Sequence, residues 1–185
     1  VEGNETDQFV ESVRSKFSKA PVGTLLTKSV EKNLAESVSL LQDAGAVLLT
    51  GGNTGSGPGY SYDNTLLSVS GDTFIANSEK LQTEAFGNVS LFVIARDEDH
   101  AVEICGAFEG NLTGCVYSSN NGDDESLYTR IARILRKKVG RLLNDKMPTG
   151  VAVSSAMNHG GPYPATGHPG FTAVGIPASI TRFGM

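Results

Sequence analysis

The apolar positions of this chain change period several times. Phe9, Val10, Val13 and Phe17 recur at helical spacing over residues 7–18, with Thr6 placed to cap that helix. Val30, Leu34, Val38 and Leu41 share one face over residues 28–43, and Gly45 predicts the end of a second helix. Ala46-Val47-Leu48-Leu49-Thr50, closed by Gly51-Gly52, predicts a short buried strand. Residues 53–62 are Gly-rich and polar, hence a loop, and residues 64–69 predict another strand. Residues 89–95 are apolar and branched, as a strand requires. Asp97, Glu98 and Asp99 then open a helix, because acids complement the positive end of its dipole. That helix runs to about Phe108, with Gly110 beyond it. Residues 112–117 predict a strand. Asp123, Asp124 and Glu125 open a further helix with Leu127, Ile131, Ile134 and Leu135 on one side. Its basic end is Arg136, Lys137 and Lys138, and Gly140 is placed to stop it. Residues 141–144 are a brief strand.

Strands thus alternate with helices from residue 28 to 144. Helix-length connections join strands that run parallel, because the chain must return to the same sheet. The predicted architecture is α/β: an open, mostly parallel sheet with helices on both faces. After Asn144 the texture changes. Residues 145–170 are rich in Gly, Pro, Ser and Thr without a sustained period, and Ser179-Ile180-Thr181-Arg182-Phe183 alternates like a strand. The expected organisation is an α/β portion over 1–144, then a loop region and an extended terminal strand over 145–185.

Composition narrows the classes. With 39% apolar and 19% charged residues in 185, the chain is an ordinary globular domain. A net charge of -5 argues against a nucleic-acid surface, which is usually basic. No apolar run approaches the roughly 20 residues needed to span a bilayer. The start, Val1-Glu2-Gly3-Asn4-Glu5, is too polar for a signal peptide and lacks Met, as in a processed or excised chain. Two cysteines are too few for a disulfide scaffold and point to a reducing, cytoplasmic setting. The glycosylation-type triplets at Asn4, Asn88 and Asn111 then read as chance matches.

Few residues carry chemistry. Gly52-Asn53-Thr54-Gly55-Ser56-Gly57-Pro58-Gly59 has the glycines of a phosphate cradle, but no helix opens after it, which favours a surface loop. Cys105 lies mid-helix and Cys115 in an apolar strand, settings for buried structural thiols rather than a nucleophile. His159 and His168 lack a third partner at ligand spacing, so no metal is expected. Glu84 and Phe86 precede a strand. By composition alone Glu84 is a solvated loop carboxylate, though beside glycine it can accept hydrogen bonds from a sugar diol.

Leu81-Gln82-Thr83-Glu84-Ala85-Phe86-Gly87-Asn88 resembles the Glu-x-Phe-Gly-Pro motif of the aldehyde dehydrogenase superfamily. Pro148-Thr149-Gly150-Val151, then Met157-Asn158-His159-Gly160-Gly161-Pro162-Tyr163-Pro164-Ala165-Thr166, resembles the α-ketoglutarate semialdehyde branch, which includes fatty aldehyde dehydrogenases. Phe171-Thr172-Ala173-Val174-Gly175 continues the similarity.

The resemblance implies oxidation of an aldehyde to a carboxylic acid with NAD or NADP. In that family a cysteine thiolate attacks the carbonyl, hydride passes to the nicotinamide, and a glutamate-activated water releases the thioester. Glu84 matches the residue that binds the nicotinamide ribose, and Phe86 the aromatic beside the nicotinamide. His159 matches a residue lining the aldehyde pocket, with Gly160 and Gly161 giving room. The tail around Ile180 resembles a strand shared between subunits, which implies a homo-oligomer. Asn88 departs from the motif's proline, which predicts a less rigid loop. The reactive cysteine, the general-base glutamate and the cofactor domain precede this region in the family, so the expectation is a C-terminal fragment, inactive alone. The rival expectation is a non-catalytic α/β binding or assembly module.

Overall fold

The computed structural model describes residues 1–55, 57–147 and 159–167. The chain divides after Ile104 into two compact units.

In the first unit, α1 (Asn4–Lys19) and α2 (Lys28–Asp43) form where helical periodicity places them. The expected cap of α1 is wrong: Gly3 takes the N-cap position with no side-chain bond, and the Thr6 hydroxyl turns back to the carbonyl of Val1. α1 buries no residue fully. Its Phe9 meets Phe92 edge-on, with ring centroids 5.9 Å apart. α2 has a stronger frame. Thr27 caps it by accepting from the Val30 N–H at 3.3 Å, and Leu34, Val38 and Leu41 are buried. Gly45 ends it with φ +107°. The Gly45 N–H reaches the Gln42 carbonyl and the Ala46 N–H the Leu41 carbonyl, the paired bonds of a Schellman cap.

β1 (Val47–Thr50) and β2 (Thr65–Ser70) pair antiparallel. A loop joins them rather than a helix, so the parallel expectation fails at this pair. The loop is tied by the Gly55 N–H to the Ser61 carbonyl, and by the Asp63 N–H to the Asn53 carbonyl. Nor is β1 buried as expected. It is an edge strand, with Val47 63% exposed. β2 is the central strand, with Thr65, Leu66, Leu67 and Val69 all buried.

Two short helices absent from the sequence reading follow: α3 (Gly71–Ala76), capped by Ser70, and α4 (Ser78–Leu81). β3 (Val89–Ile94) then runs parallel to β2 in unbroken register from Thr65↔Val89 to Ser70↔Ile94. α5 (Glu98–Ala107) opens with the expected acids, and Asp97 Oδ1 accepts its His100 N–H at 2.8 Å. The core of this unit includes a cluster of Leu34, Val38 and Tyr62, with Leu25, Ala35, Ala85 and Val89 packed on it.

In the second unit, β4 (Asn111–Val116) and β5 (Val139–Asn144) form a separate parallel pair, joined through α6 (Glu125–Leu135). The expected stop at Gly140 is wrong. α6 ends at Leu135, and tight bonds from the Lys137 N–H to the Ile134 carbonyl and from the Lys138 N–H to the Leu135 carbonyl turn the chain into β5. Gly140 belongs to β5, where a side chain would collide with the Gly160 carbonyl. Ala132, Leu135 and Val139 are buried here. The expected terminal strand at residues 179–183 lies outside the described residues. No described helix is long and apolar enough to cross a membrane.

Candidate functional site

The residues 84–88 connect α4 to β3, and their side chains alternate. Ala85 packs on the Leu34–Val38–Tyr62 cluster. Gly87 lies against Leu34 so closely that a Cβ would collide with Cδ2. Between these anchored positions, Glu84 is exposed and Phe86 is 68% exposed. The loop therefore presents a carboxylate and an aromatic ring together, outward, from a base held by packing. A carboxylate in that setting can accept from a diol, and a bare ring offers a flat face to another ring.

At Asn88, where a less rigid loop is expected, the side chain makes hydrogen bonds of its own. Its Nδ2 donates to the Tyr62 carbonyl at 2.7 Å and to Asn64 Oδ1 at 2.9 Å, and its carbonyl accepts from the Thr65 N–H at 2.9 Å. Nothing in the one-dimensional pattern identified Asn64 and Asn88 as partners, because their pairing follows from the parallel register of β2 and β3.

His159, Gly160 and Gly161 belong to the second unit. His159 is exposed, while Gly160 and Gly161 are buried. A Cβ on Gly161 would strike the Asn111 carbonyl, and one on Gly140 would strike the Gly160 carbonyl. The two glycines thus let this segment lie backbone-to-backbone across the starts of β4 and β5. Next to them, Glu109, Gly110, Lys137, Lys138, Pro162, Tyr163 and Pro164 line an open groove of about 500 Å³. His168 lies outside the described residues, as do Met157 and Asn158. Among the described residues, no group of three or more His, Cys, Asp or Glu side chains is placed to hold a metal ion.

Neither thiol has the setting of an activated nucleophile. Burial pushes the Cys105 thiol above its usual range. Cys115 Sγ donates to the Lys146 carbonyl at 2.8 Å.

The loop after β1 has no helix behind it, so it does not form a strand–loop–helix phosphate cradle. At the carboxyl ends of β2 and β3 lies a group that sequence reading missed. His100 is buried, and its Nδ1 accepts from the Arg96 N–H at 3.2 Å. Its Nε2 is 3.7 Å from Asp72 Oδ1, and Asp72 also pairs with the Arg96 guanidinium. Gly71 lies under the imidazole, where a Cβ would be 2.6 Å from Cε1. This cluster fastens the start of α3 to the turn before α5 and to the first turns of α5.

Residues 5–161 match the aldehyde dehydrogenase family. Over 183 residues the chain is 33% identical to alpha-ketoglutaric semialdehyde dehydrogenase 2 of Azospirillum brasilense, covering 99% of this chain and 34% of the relative. It is 29% identical over 178 residues to alpha-ketoglutaric semialdehyde dehydrogenase of Acinetobacter baylyi, covering 96% of this chain and 33% of the relative. The chain thus spans about a third of the length of these curated relatives. Among solved structures, lactaldehyde dehydrogenase from Escherichia coli superposes with a TM-score of 0.66 at 23% identity, over 84% of this chain and 32% of that one. Betaine aldehyde dehydrogenase from Staphylococcus aureus in complex with NAD+ gives 0.67 at 18% identity, over 87% and 32%. At such identities the two structures establish the fold.

Proposed function

Because this chain belongs to the aldehyde dehydrogenase family, we propose that it forms part of the catalytic domain of an NAD(P)-dependent enzyme oxidising an aldehyde to its carboxylic acid. The observation that carries the proposal is the outward pair Glu84 and Phe86 on a loop fixed from below. A carboxylate offering two acceptor oxygens suits the 2′- and 3′-hydroxyls of a ribose, and an exposed ring beside it suits the face or edge of a nicotinamide. The bound dinucleotide would supply the hydride acceptor. The role of these residues is to orient it. His159, with Gly160 and Gly161 beneath it, forms one wall of the aldehyde pocket. Alpha-ketoglutaric semialdehyde is the favoured substrate, on the similarity to relatives named for it.

The chain alone does not turn over. Burial raises the Cys105 thiol above its usual range, and Cys115 Sγ is turned to the Lys146 carbonyl, so neither is presented as a nucleophile. The purified chain is expected to give no aldehyde-dependent reduction of NAD+ or NADP+. Measurable turnover abolished by alkylating Cys115 would overturn this division of roles. The cofactor contact is tested by titrating the chain with nicotinamide mononucleotide and following backbone amide shifts. Shifts at Glu84 and Phe86, lost in Glu84→Gln, are expected. Shifts confined to other residues would remove the assignment.

A further inference from the structure

The residue that stands in place of the motif's proline is the most firmly tied of its loop. A proline stiffens a loop by fixing φ. Asn88 lacks that ring, yet its side chain donates twice into the segment that precedes β2, at 2.7 Å to the Tyr62 carbonyl and 2.9 Å to Asn64 Oδ1.

The orientation of both amides follows from their partners. The Tyr62 carbonyl can only accept, so the atom of Asn88 facing it is nitrogen. Asn64 Nδ2 faces three carbonyls, those of Phe17, Ala20 and Pro21, at 3.3, 3.0 and 3.4 Å. That leaves Asn64 Oδ1 free to accept from Asn88. The two asparagines therefore form a directed chain of hydrogen bonds from the end of α1 to the end of the Glu84–Phe86 loop. Among the described residues, none bonds the buried Asn88 Oδ1.

We propose that Asn88 is a positioning residue. Its amide, anchored through Asn64 to the segment after α1, holds Glu84 and Phe86 in the geometry that the proline ring enforces in the family motif. Its functional consequence rests on the reading of Glu84 and Phe86 as the ribose and nicotinamide contacts. The restraint itself does not.

The test uses the full chain and three variants. Asn88→Asp is isosteric but sets oxygen against two acceptors. Asn88→Ala removes both donors without repulsion. Asn88→Pro restores stiffness by the other device. Backbone ¹⁵N order parameters of Ala85, Phe86 and Gly87 are expected to be near 0.85 in the parent chain, as for roughly any rigid backbone, and to fall to about 0.6 or below in the Asp and Ala variants. Exchange of the Thr65 amide, which donates to the Asn88 carbonyl, should speed up about tenfold. Asn88→Pro should recover the order, and should recover the nicotinamide mononucleotide shifts that Asn88→Ala loses. Should Asn88→Asp fail to fold, Asn64→Ala, which removes only the anchor, must still loosen residues 85–87. Unchanged order in Ala and Asp variants, loosening spread evenly over residues 1–104, or a proline variant no better than alanine would each overturn the proposal. Loosening without any mononucleotide shift in the parent chain would uphold the restraint and sink the cofactor reading instead.

Discussion

Gly87 shows how the lack of a side chain lets a loop pack closely on the core. A methyl group there would overlap Leu34, which is fully buried in the cluster beneath the loop. Gly87→Ala must therefore either displace Leu34 or lift the loop. Overpacking of this kind costs roughly 1–3 kcal/mol. Urea unfolding should show that loss, and Leu34→Val in the same chain should return part of it, because the two sites share one contact. Additive losses in the double variant would mean that the collision is not what destabilises the single one. Cys105 gives a second prediction at this scale. Burial raises its thiol pKa above the ordinary 9.0, so the protonated thiol contributes stability that is complete below that value and lost as pH rises through the folded pKa. Alkylation of Cys105 at pH 7.5 should accordingly lag far behind that of free cysteine and rise steeply only in alkali. Alkylation at the rate of free cysteine would contradict the burial argument.

Helices and strands respond to different signals. The Schellman bonds at Gly45 were foreshadowed by a glycine after the last apolar position of α2, since only such a residue takes φ +107° without strain. A Cβ there would also lie 2.7 Å from Thr73 Cγ2. Gly45→Ala should cost about 1–3 kcal/mol by thermal unfolding, more than the ~1 kcal/mol expected for removing the Thr27 cap. The placement of the strands along the chain was legible because β2 and β3 are rich in apolar residues and α5 and α6 carry acids at their starts. The exposure of β1 was not legible: an apolar run reads as buried whether it becomes a central strand or an edge. α3 and α4 were missed because six and four residues are too few to establish a helical period. Asp72, at the start of α3, pairs with Arg96 across the β2–β3 ends, and the guanidinium lowers its pKa from the ordinary 3.8. A lowered carboxyl pKa gives stability that is present above that ordinary value and lost as pH falls through the folded one. Asp72→Asn should therefore flatten the acid limb of the unfolding profile below about pH 4 while changing little at neutral pH, because the pair is exposed. An unchanged acid limb would show that the pair carries no linkage.

Across the molecule, the motif legible in sequence, Glu84-Ala85-Phe86-Gly87, proved to be a loop with its two chemically useful side chains outward. Its support was not legible, because Asn64 and Asn88 are 24 residues apart and meet only through the fold. His159 belongs to the other unit, and the glycines after it serve backbone packing against β4 and β5. The same view identifies where the chain should meet other protein. β1 is one of the two outer strands of its sheet, with Val47 63% and Leu48 36% exposed. A strand edge carries unpaired N–H and C=O groups, and apolar side chains along it add a hydrophobic reward for pairing, so such edges associate unless a charge blocks them. Sedimentation velocity should therefore show a concentration-dependent increase in mass. Val47→Lys should suppress it, with a change in stability within about 0.5 kcal/mol, since the substituted side chain is exposed. A strictly monomeric profile at high concentration would show that β1 does not pair in solution. Association that survives Val47→Lys would shift the contact to another surface, with the exposed ring of Tyr117 the next to substitute.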